Sequence, residues 1–540
     1  MSEDPGQRRD RRSVYALLIL VTLALVAGRI ATVTSREGDT AFLSANDRSR
    51  WCTVAALVED GTYAIDRLLE IRGDRNRRPW YTIDLVRHRG PDGQLHYYSS
   101  KPPLFPTMVA GVYWVVHAVT GMTLTAQPIY MTRIVLALVN LPLYAIWLFS
   151  MVASIEALGG GRPGGSDWTR RFLVAAICFG TLLLPFAWSL SNHLPAAAAS
   201  AAAMWIYLAA ARRVRNAAPG EPAVPRWWWF GFAVAAAFAA ANELPALSML
   251  AFWSLLGGWL DRRSILPMLG GIGLVAAGFF GTNWIAHQSL RPPYAHRGVG
   301  AEIATVELTR PPAESAATVT QRLRQAEAIG PEETVAITPS SVTGRWIVTS
   351  DQERLFALLV DDDEAGSAVL AQWDDWYEYP RSYWRGAERK GVDRGEPSRG
   401  TYLLHATVGH HGVFSLTPLW LLVPWGWYLG FRDYPWGVRR LVLATSVATL
   451  VCFAFYLMRP EIDRNYGGVS IAFRWLIWMV PFWFLALVPA IRRLSASRLG
   501  RMVASLLLLW SVFSVSASLD GPWQHPWLYR FWLFLGWIAE

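Results

Sequence analysis

Apolar runs long enough to cross the roughly 30 Å hydrocarbon core of a bilayer as helices recur along this 540-residue chain. They fall at about 14–34, 129–152, 172–190, 195–211, 227–241, 244–260, 265–286, 412–431, 441–458, 471–491 and 499–518, with a further apolar stretch at 103–121. The stretch 227–260 is too long for one crossing and divides at Asn242-Glu243-Leu244-Pro245, where polar groups and a proline mark a turn. The expected fold class is therefore an all-α polytopic membrane protein of about eleven transmembrane helices plus one juxtamembrane helix. Charged residues make up only 17% of the chain and apolar ones 53%, which excludes a disordered chain and gives no reason to expect a nucleic-acid partner. Cys52, Cys178 and Cys452 are too few and too far apart for a disulfide framework or a cysteine metal cluster.

Loop charge orients the spans. The first run follows Arg8, Arg9, Arg11 and Arg12, and the many later spans favour an uncleaved anchor with a cytoplasmic N-terminus over a cleaved signal peptide. If 103–121 does not cross, sixteen arginines gather on the cytoplasmic side, among them Arg162, Arg170, Arg212, Arg262, Arg432 and Arg492. The short outer loops then hold only Arg459 and Arg464. A crossing at 103–121 would reverse that bias, so the segment is read as juxtamembrane.

The same reading puts both long polar segments, 35–102 and 287–402, outside. The expected organisation is a cytoplasmic tail (1–13), an N-terminal membrane module (14–286) containing a first outer loop (35–128), a large second outer loop (287–411), C-terminal transmembrane helices (412–518) and an outer-face aromatic tail (519–540). The second outer loop carries 18 acidic and 13 basic residues, which suits neither a lipid surface nor nucleic acid. In the first loop, Ser44 to Gly61 predicts a short amphipathic helix capped at Ser44 or Asn46. Residues 80–99 predict a hairpin about Gly90-Pro91-Asp92-Gly93. Lys101-Pro102-Pro103-Leu104 then opens the juxtamembrane helix, where proline suits a first turn. Asp47 also fits a plain first-turn carboxylate, and Lys101 a snorkelling interfacial cation.

Asp47 and Lys101-Pro102-Pro103-Leu104, in that order behind the first span, resemble the membrane-embedded glycosyltransferases of the GT-C superfamily, nearest the protein O-mannosyltransferase and aminoarabinose-transferase branch. Two positions depart from that pattern. Asp47-Arg48 stands where the family often has Asp-Glu, and Ser191-Asn192-His193 stands where it often has a second Asp.

The resemblance implies an inverting glycosyltransferase that moves a sugar from a polyprenyl-phosphate donor to an acceptor (lipid, glycan or protein) at the outer face of a bacterial-type inner membrane. It casts Asp47 as the base that deprotonates the acceptor. Lys101 and Arg474 would bind the donor phosphate, with Arg50, His193, Glu243, His410, His411 and Tyr466 as further substrate contacts. Such chemistry needs a base at the attacking hydroxyl and positive charge at the departing phosphate. It requires no cofactor. His193, Glu243, His410 and His411 are residue types that accept a divalent metal, but their spacing carries no metal-site signature. Aromatic residues among carboxylates at Trp373 to Trp384 fit either sugar stacking or docking of the second loop. The rival readings are a transporter or flippase for lipid-linked sugar and a non-catalytic receptor or assembly protein.

Overall fold

A computed structural model describes residues 5–159, 167–218, 223–309, 311–360, 366–385 and 389–538. Arg162 of the expected cytoplasmic charge set, part of the N-terminal tail and the last two residues of the aromatic tail lie outside them. Among the described residues, seven helices are long and apolar enough to cross a membrane: Gly6–Thr32, Pro128–Gly159, His193–Asn216, Arg262–His287, Trp436–Leu457, Arg474–Leu494 and Arg498–Ser516. The other four predicted runs are helical but shorter, at Asp167–Phe179, Arg226–Asn242, Leu247–Leu260 and Val423–Asp433. In two of these runs a proline, which lacks a backbone donor, sits in the tight turn that replaces the rest of the helix. The run 172–190 ends in a tight turn at Leu184–Trp188 containing Pro185, and 412–431 opens with one at Pro418–Leu422. The long run divides as expected, with Glu243 in extended conformation between two helices.

Arg474–Leu494 is the hub of the bundle, 94% enclosed, whereas Arg262–His287 is only 17% enclosed. Leu17, Leu20, Leu138, Phe149, Leu266, Leu269, Leu443, Leu450, Leu506 and Leu509 all stand exposed on helix flanks. A belt of that extent is costly in water and costs nothing against acyl chains. The chain is an integral membrane protein.

The first outer segment folds much as read. Ser44 caps the helix Ala45–Ala55, which widens by one turn over Ala56–Asp60 and stops at Gly61. Strands β1 (Leu85–Arg89) and β2 (Leu95–Ser99) form the hairpin, with Leu85 opposite Ser99. Helix Leu104–Thr120 follows Pro103. Its far end returns to the face on which the first helix ends. Tyr113 donates to Glu59 (2.8 Å), Glu59 accepts from the Thr125 N–H (3.2 Å), and Arg133 donates to the Val33 carbonyl (3.0 Å). These contacts hold the helix against the first outer segment.

The second outer segment departs from the all-α expectation, which describes the membrane body only. Strands β3 (Arg297–Glu307), β4 (Val335–Pro339), β5 (Arg345–Ser350), β6 (Leu355–Val360) and β7 (Ser367–Asp375) form an antiparallel sheet ordered β3-β7-β6-β5-β4. Helix Ala316–Gln325 covers one face, burying Val319 and Leu323 against Val306, Val348, Phe356, Leu358 and Leu370. The sheet has a hydrophobic core of its own, separate from that of the membrane bundle.

Candidate active site

Where the two outer segments meet the helix ends they enclose a cavity of about 1130 Å³. One wall comes from the first outer segment. The hairpin register that pairs Leu85 with Ser99 carries on to Asp84 and Ser100, whose N–H donates to the Asp84 carbonyl (3.1 Å). Lys101 then lies beside Asp84, with its Nζ 3.0 Å from Oδ2. Burial pushes the Lys101 ammonium down to about 8, and Asp84 opposes that shift. Ser49 ties the helix to this corner by bonding the Asp84 carbonyl and the Ser99 hydroxyl, each at 2.7 Å.

The second wall is a hydrogen-bonded chain that runs from the middle of the helix Ala45–Ala55 across the ends of the helices that carry His193, Glu243 and Arg474. Arg50 donates to Asn192 Oδ1 (2.6 Å) and also holds Asn46. Asn192 Nδ2 and His193 Nδ1 both reach Glu243 Oε1, at 2.7 and 2.5 Å. His193 Nε2 meets Arg474 Nη1 at 2.9 Å. A guanidinium only donates, so Nε2 accepts, and the proton of a neutral His193 sits on Nδ1, facing Glu243. Burial pushes Glu243 up to about 8, against the pull of Arg474 and Arg50. Burial, with the charge of Arg474, lowers Arg50 to about 10.

Arg474 is fixed on two further sides, donating through Nε to the Gly467 carbonyl (2.7 Å) and lying 4.8 Å from the Trp523 ring centre. Gly467 has φ +93°, and a Cβ there would collide with the guanidinium, so only glycine fits. The predicted residues Arg50, Lys101, His193, Glu243 and Arg474 thus all line one cavity, although at least fifty residues separate each from the next in sequence.

Asp47 is placed differently. It is 0% exposed and is not part of the cavity wall. Its carboxylate accepts from the Leu43 N–H (2.9 Å) and the Leu190 N–H (3.0 Å), so it joins the first turn of its helix to the segment that presents Asn192 and His193. Burial raises it to about 6 despite those two donors. Ser44 caps the helix by accepting from the Asp47 N–H (3.1 Å), while the Asp47 carboxylate reaches back to the residue before the cap. The carboxylates that do line the cavity include Asp84, Glu243 and Asp393. Sequence reasoning missed Asp84, but the predicted hairpin held its signal: extending the register by one residue sets Asp84 against the Lys101 segment.

Tyr466, His410 and His411 sit together away from the cavity wall. Tyr466 donates to Glu396 (2.7 Å), its ring stacks on His411 (4.1 Å), and His411 Nδ1 lies 2.5 Å from His410 Nδ1. The four residues considered for a metal therefore fall into two pairs. Among the described residues the group with metal-binding geometry is Glu396, His405 and His410. The aromatic run of the second outer segment docks and also lines the site. The Trp376 carbonyl accepts from the Arg87 N–H (2.8 Å) and Trp384 donates to the Ile83 carbonyl (3.0 Å), while Tyr377 and Trp384 face the cavity.

The remaining wall is apolar. Leu244, Pro245, Val451, Cys452, Phe455, Tyr456 and Trp475 line it, and Leu244, Val451 and Phe455 are each 49% exposed on the bundle's flank. Cations on one side and membrane-facing apolar helix ends on the other suit an amphiphile with an anionic head.

No protein-family profile matches the chain, and no curated protein matches it. Among solved structures it is similar to the S. cerevisiae protein O-mannosyltransferase Pmt1-Pmt2 complex bound to the sugar donor, at 11% identity and a TM-score of 0.42, over 100% of this chain and 93% of that one.

Proposed function

We propose that this protein is an inverting glycosyltransferase that takes a sugar from a polyprenyl-phosphate donor and passes it to an acceptor hydroxyl at the outer face of a bacterial-type inner membrane. One observation carries the reading: a single cavity joins Lys101, Arg50 and Arg474 to an apolar wall on the lipid-facing flank. A polyprenyl tail stays among acyl chains along Val451 and Phe455 while its phosphate meets the cations. The sixteen arginines on the opposite loops support an outward-facing site.

In the reaction the acceptor oxygen attacks the anomeric carbon, and the bond from that carbon to the phosphate oxygen breaks, leaving its electron pair on the phosphate. Lys101 and Arg474 offset the growing charge. Attack opposite the leaving group inverts the anomeric centre. The acceptor proton goes to a carboxylate. Asp47 carries that role in the family resemblance, but both its oxygens are engaged by backbone donors behind the wall. Asp84 faces the cavity, and Lys101 is able to swing from it to the donor phosphate, freeing a lone pair. We therefore give Asp84 the base role and Asp47 the role of fixing the wall.

The test uses the purified protein in vesicles with a synthetic polyprenyl-phosphate sugar and, separately, a nucleotide sugar. Transfer from the lipid donor alone, with inverted anomeric configuration by NMR, is the expected result. Transfer from the nucleotide sugar alone, or with retention, sinks the reading.

A further inference from the structure

Glu396, His405 and His410 come from one short stretch around the helix Arg399–Thr407, and a ligand atom from each lies within 4.8 Å of the others. The two imidazoles stack, with ring centres 3.9 Å apart and planes inclined by 16°. His410 is buried, and His405 Nδ1 is buried with no hydrogen-bond partner among the described residues. A buried polar atom without a partner costs about 1–3 kcal/mol, and two stacked imidazoles gain little from one another. Gly409 makes the arrangement possible, because a Cβ there would stand 2.5 Å from His405 Nδ1.

The surroundings are those of a held ligand set. His411 Nδ1 meets His410 Nδ1 at 2.5 Å, and Tyr466 donates to Glu396 Oε1 at 2.7 Å. Such outer partners fix the orientation of metal-binding side chains.

We propose that Glu396, His405 and His410 bind one divalent transition-metal ion of the zinc class. Two imidazole nitrogens with one carboxylate oxygen favour zinc or cobalt over magnesium or calcium, which prefer all-oxygen shells. A tetrahedral ion with bonds of about 2.0–2.1 Å needs donors roughly 3.4 Å apart and lies in the plane of each imidazole, so binding turns the two rings out of their stack to aim both nitrogens at one point, with water in the fourth position. The ion acts as a clip. Glu396 is bonded through its N–H to the Arg464 carbonyl (2.8 Å), and Tyr402, on the histidine-bearing helix, donates to the Asn465 carbonyl (2.6 Å). Asn465 Oδ1 in turn holds the Gly467 N–H (2.9 Å), and the Gly467 carbonyl holds Arg474. The metal thereby pins the segment that positions a cavity cation.

The test strips the full-length detergent-solubilised protein with chelator, reloads it with zinc or cobalt, dialyses it and measures metal by mass spectrometry. One equivalent of zinc and the visible absorption of four-coordinate cobalt are the expected results. H405A/H410A loses the ion, Glu396→Gln weakens binding at least tenfold, and Glu243→Gln retains it. Three results overturn the proposal: a wild-type chain that retains no metal, full retention in H405A/H410A, or loss confined to Glu243→Gln. Should H405A/H410A not fold, the wild-type stoichiometry and Glu396→Gln still decide. These readouts need no sugar transfer and stand or fall apart from the enzymatic reading.

Discussion

The bundle carries an arginine-rich cavity at each end, and the two are built differently. The inner one, on the face that the loop charge assigns to the cytoplasm, has about 940 Å³ and is lined by Arg212, Arg215, Arg432, Arg439, Arg440 and Arg492, all near the ends of helices. Asp433 alone gathers several of them, with Arg492 at 3.1 Å and Arg432 at 3.4 Å. In the outer cavity, of about 1130 Å³, each central cation has its own partner: Lys101 has Asp84, Arg50 has Asn192 and Arg474 has His193. Arginines of the first kind, flanking the spans, orient a chain during insertion and need no fixed geometry. Side chains held one by one, on elements far apart in sequence, are pre-organised for a ligand.

Substitutions sharpen that contrast. The largest effect belongs to Asp84→Asn, which is expected to lower single-turnover transfer by about 10²–10⁴ with insertion and donor binding intact. Undiminished turnover removes Asp84 from the base role. Lys101→Ala comes next. Loss of a charge-assisted bond worth about 1.5–3 kcal/mol should raise the donor KM by roughly 10–150-fold and leave the acceptor KM within twofold.

Lysine is charged below its folded pKa of about 8 and neutral above it. Donor affinity should therefore hold up to pH 8 and fall beyond it, and Lys101→Arg should abolish that alkaline loss. An unchanged limb in the arginine variant points to a different titrating group.

Asp47→Asn acts on stability. The amide keeps one acceptor for two backbone donors, which costs about 1–3 kcal/mol and should lower the thermal midpoint of the detergent-solubilised protein. An unchanged midpoint with lost turnover would restore Asp47 as the base. The smallest effect is expected inside: Arg212→Gln with Arg215→Gln should change transfer by less than twofold, and a large loss would assign the inner cavity to catalysis.

Much of this was legible in the residues. Pro245 marked the break between two helices, Gly90 to Gly93 marked the hairpin, and Pro102-Pro103 marked the start of the helix Leu104–Thr120. The five-stranded sheet was not, because its strands of five to eleven residues lie among charges and its pairing joins β3 to β7 across the whole segment. The convergence of Arg50, His193, Glu243 and Arg474 is tertiary, since Arg50 lies mid-helix and the other three at helix ends, on elements whose neighbours are set only by bundle packing. Asp47 reads two ways for a local reason. A carboxylate three residues after Ser44 is equally a capping partner, and the fold turns it toward the Leu43 and Leu190 amides.

A structure with a non-transferable phosphonate analogue of a polyprenyl-phosphate sugar tests the central claim most directly. The phosphonate should lie within hydrogen-bond reach of Lys101 and Arg474, with the prenyl chain leaving past Val451 and Phe455. A phosphonate bound instead among Arg212, Arg432 and Arg492 would contradict it.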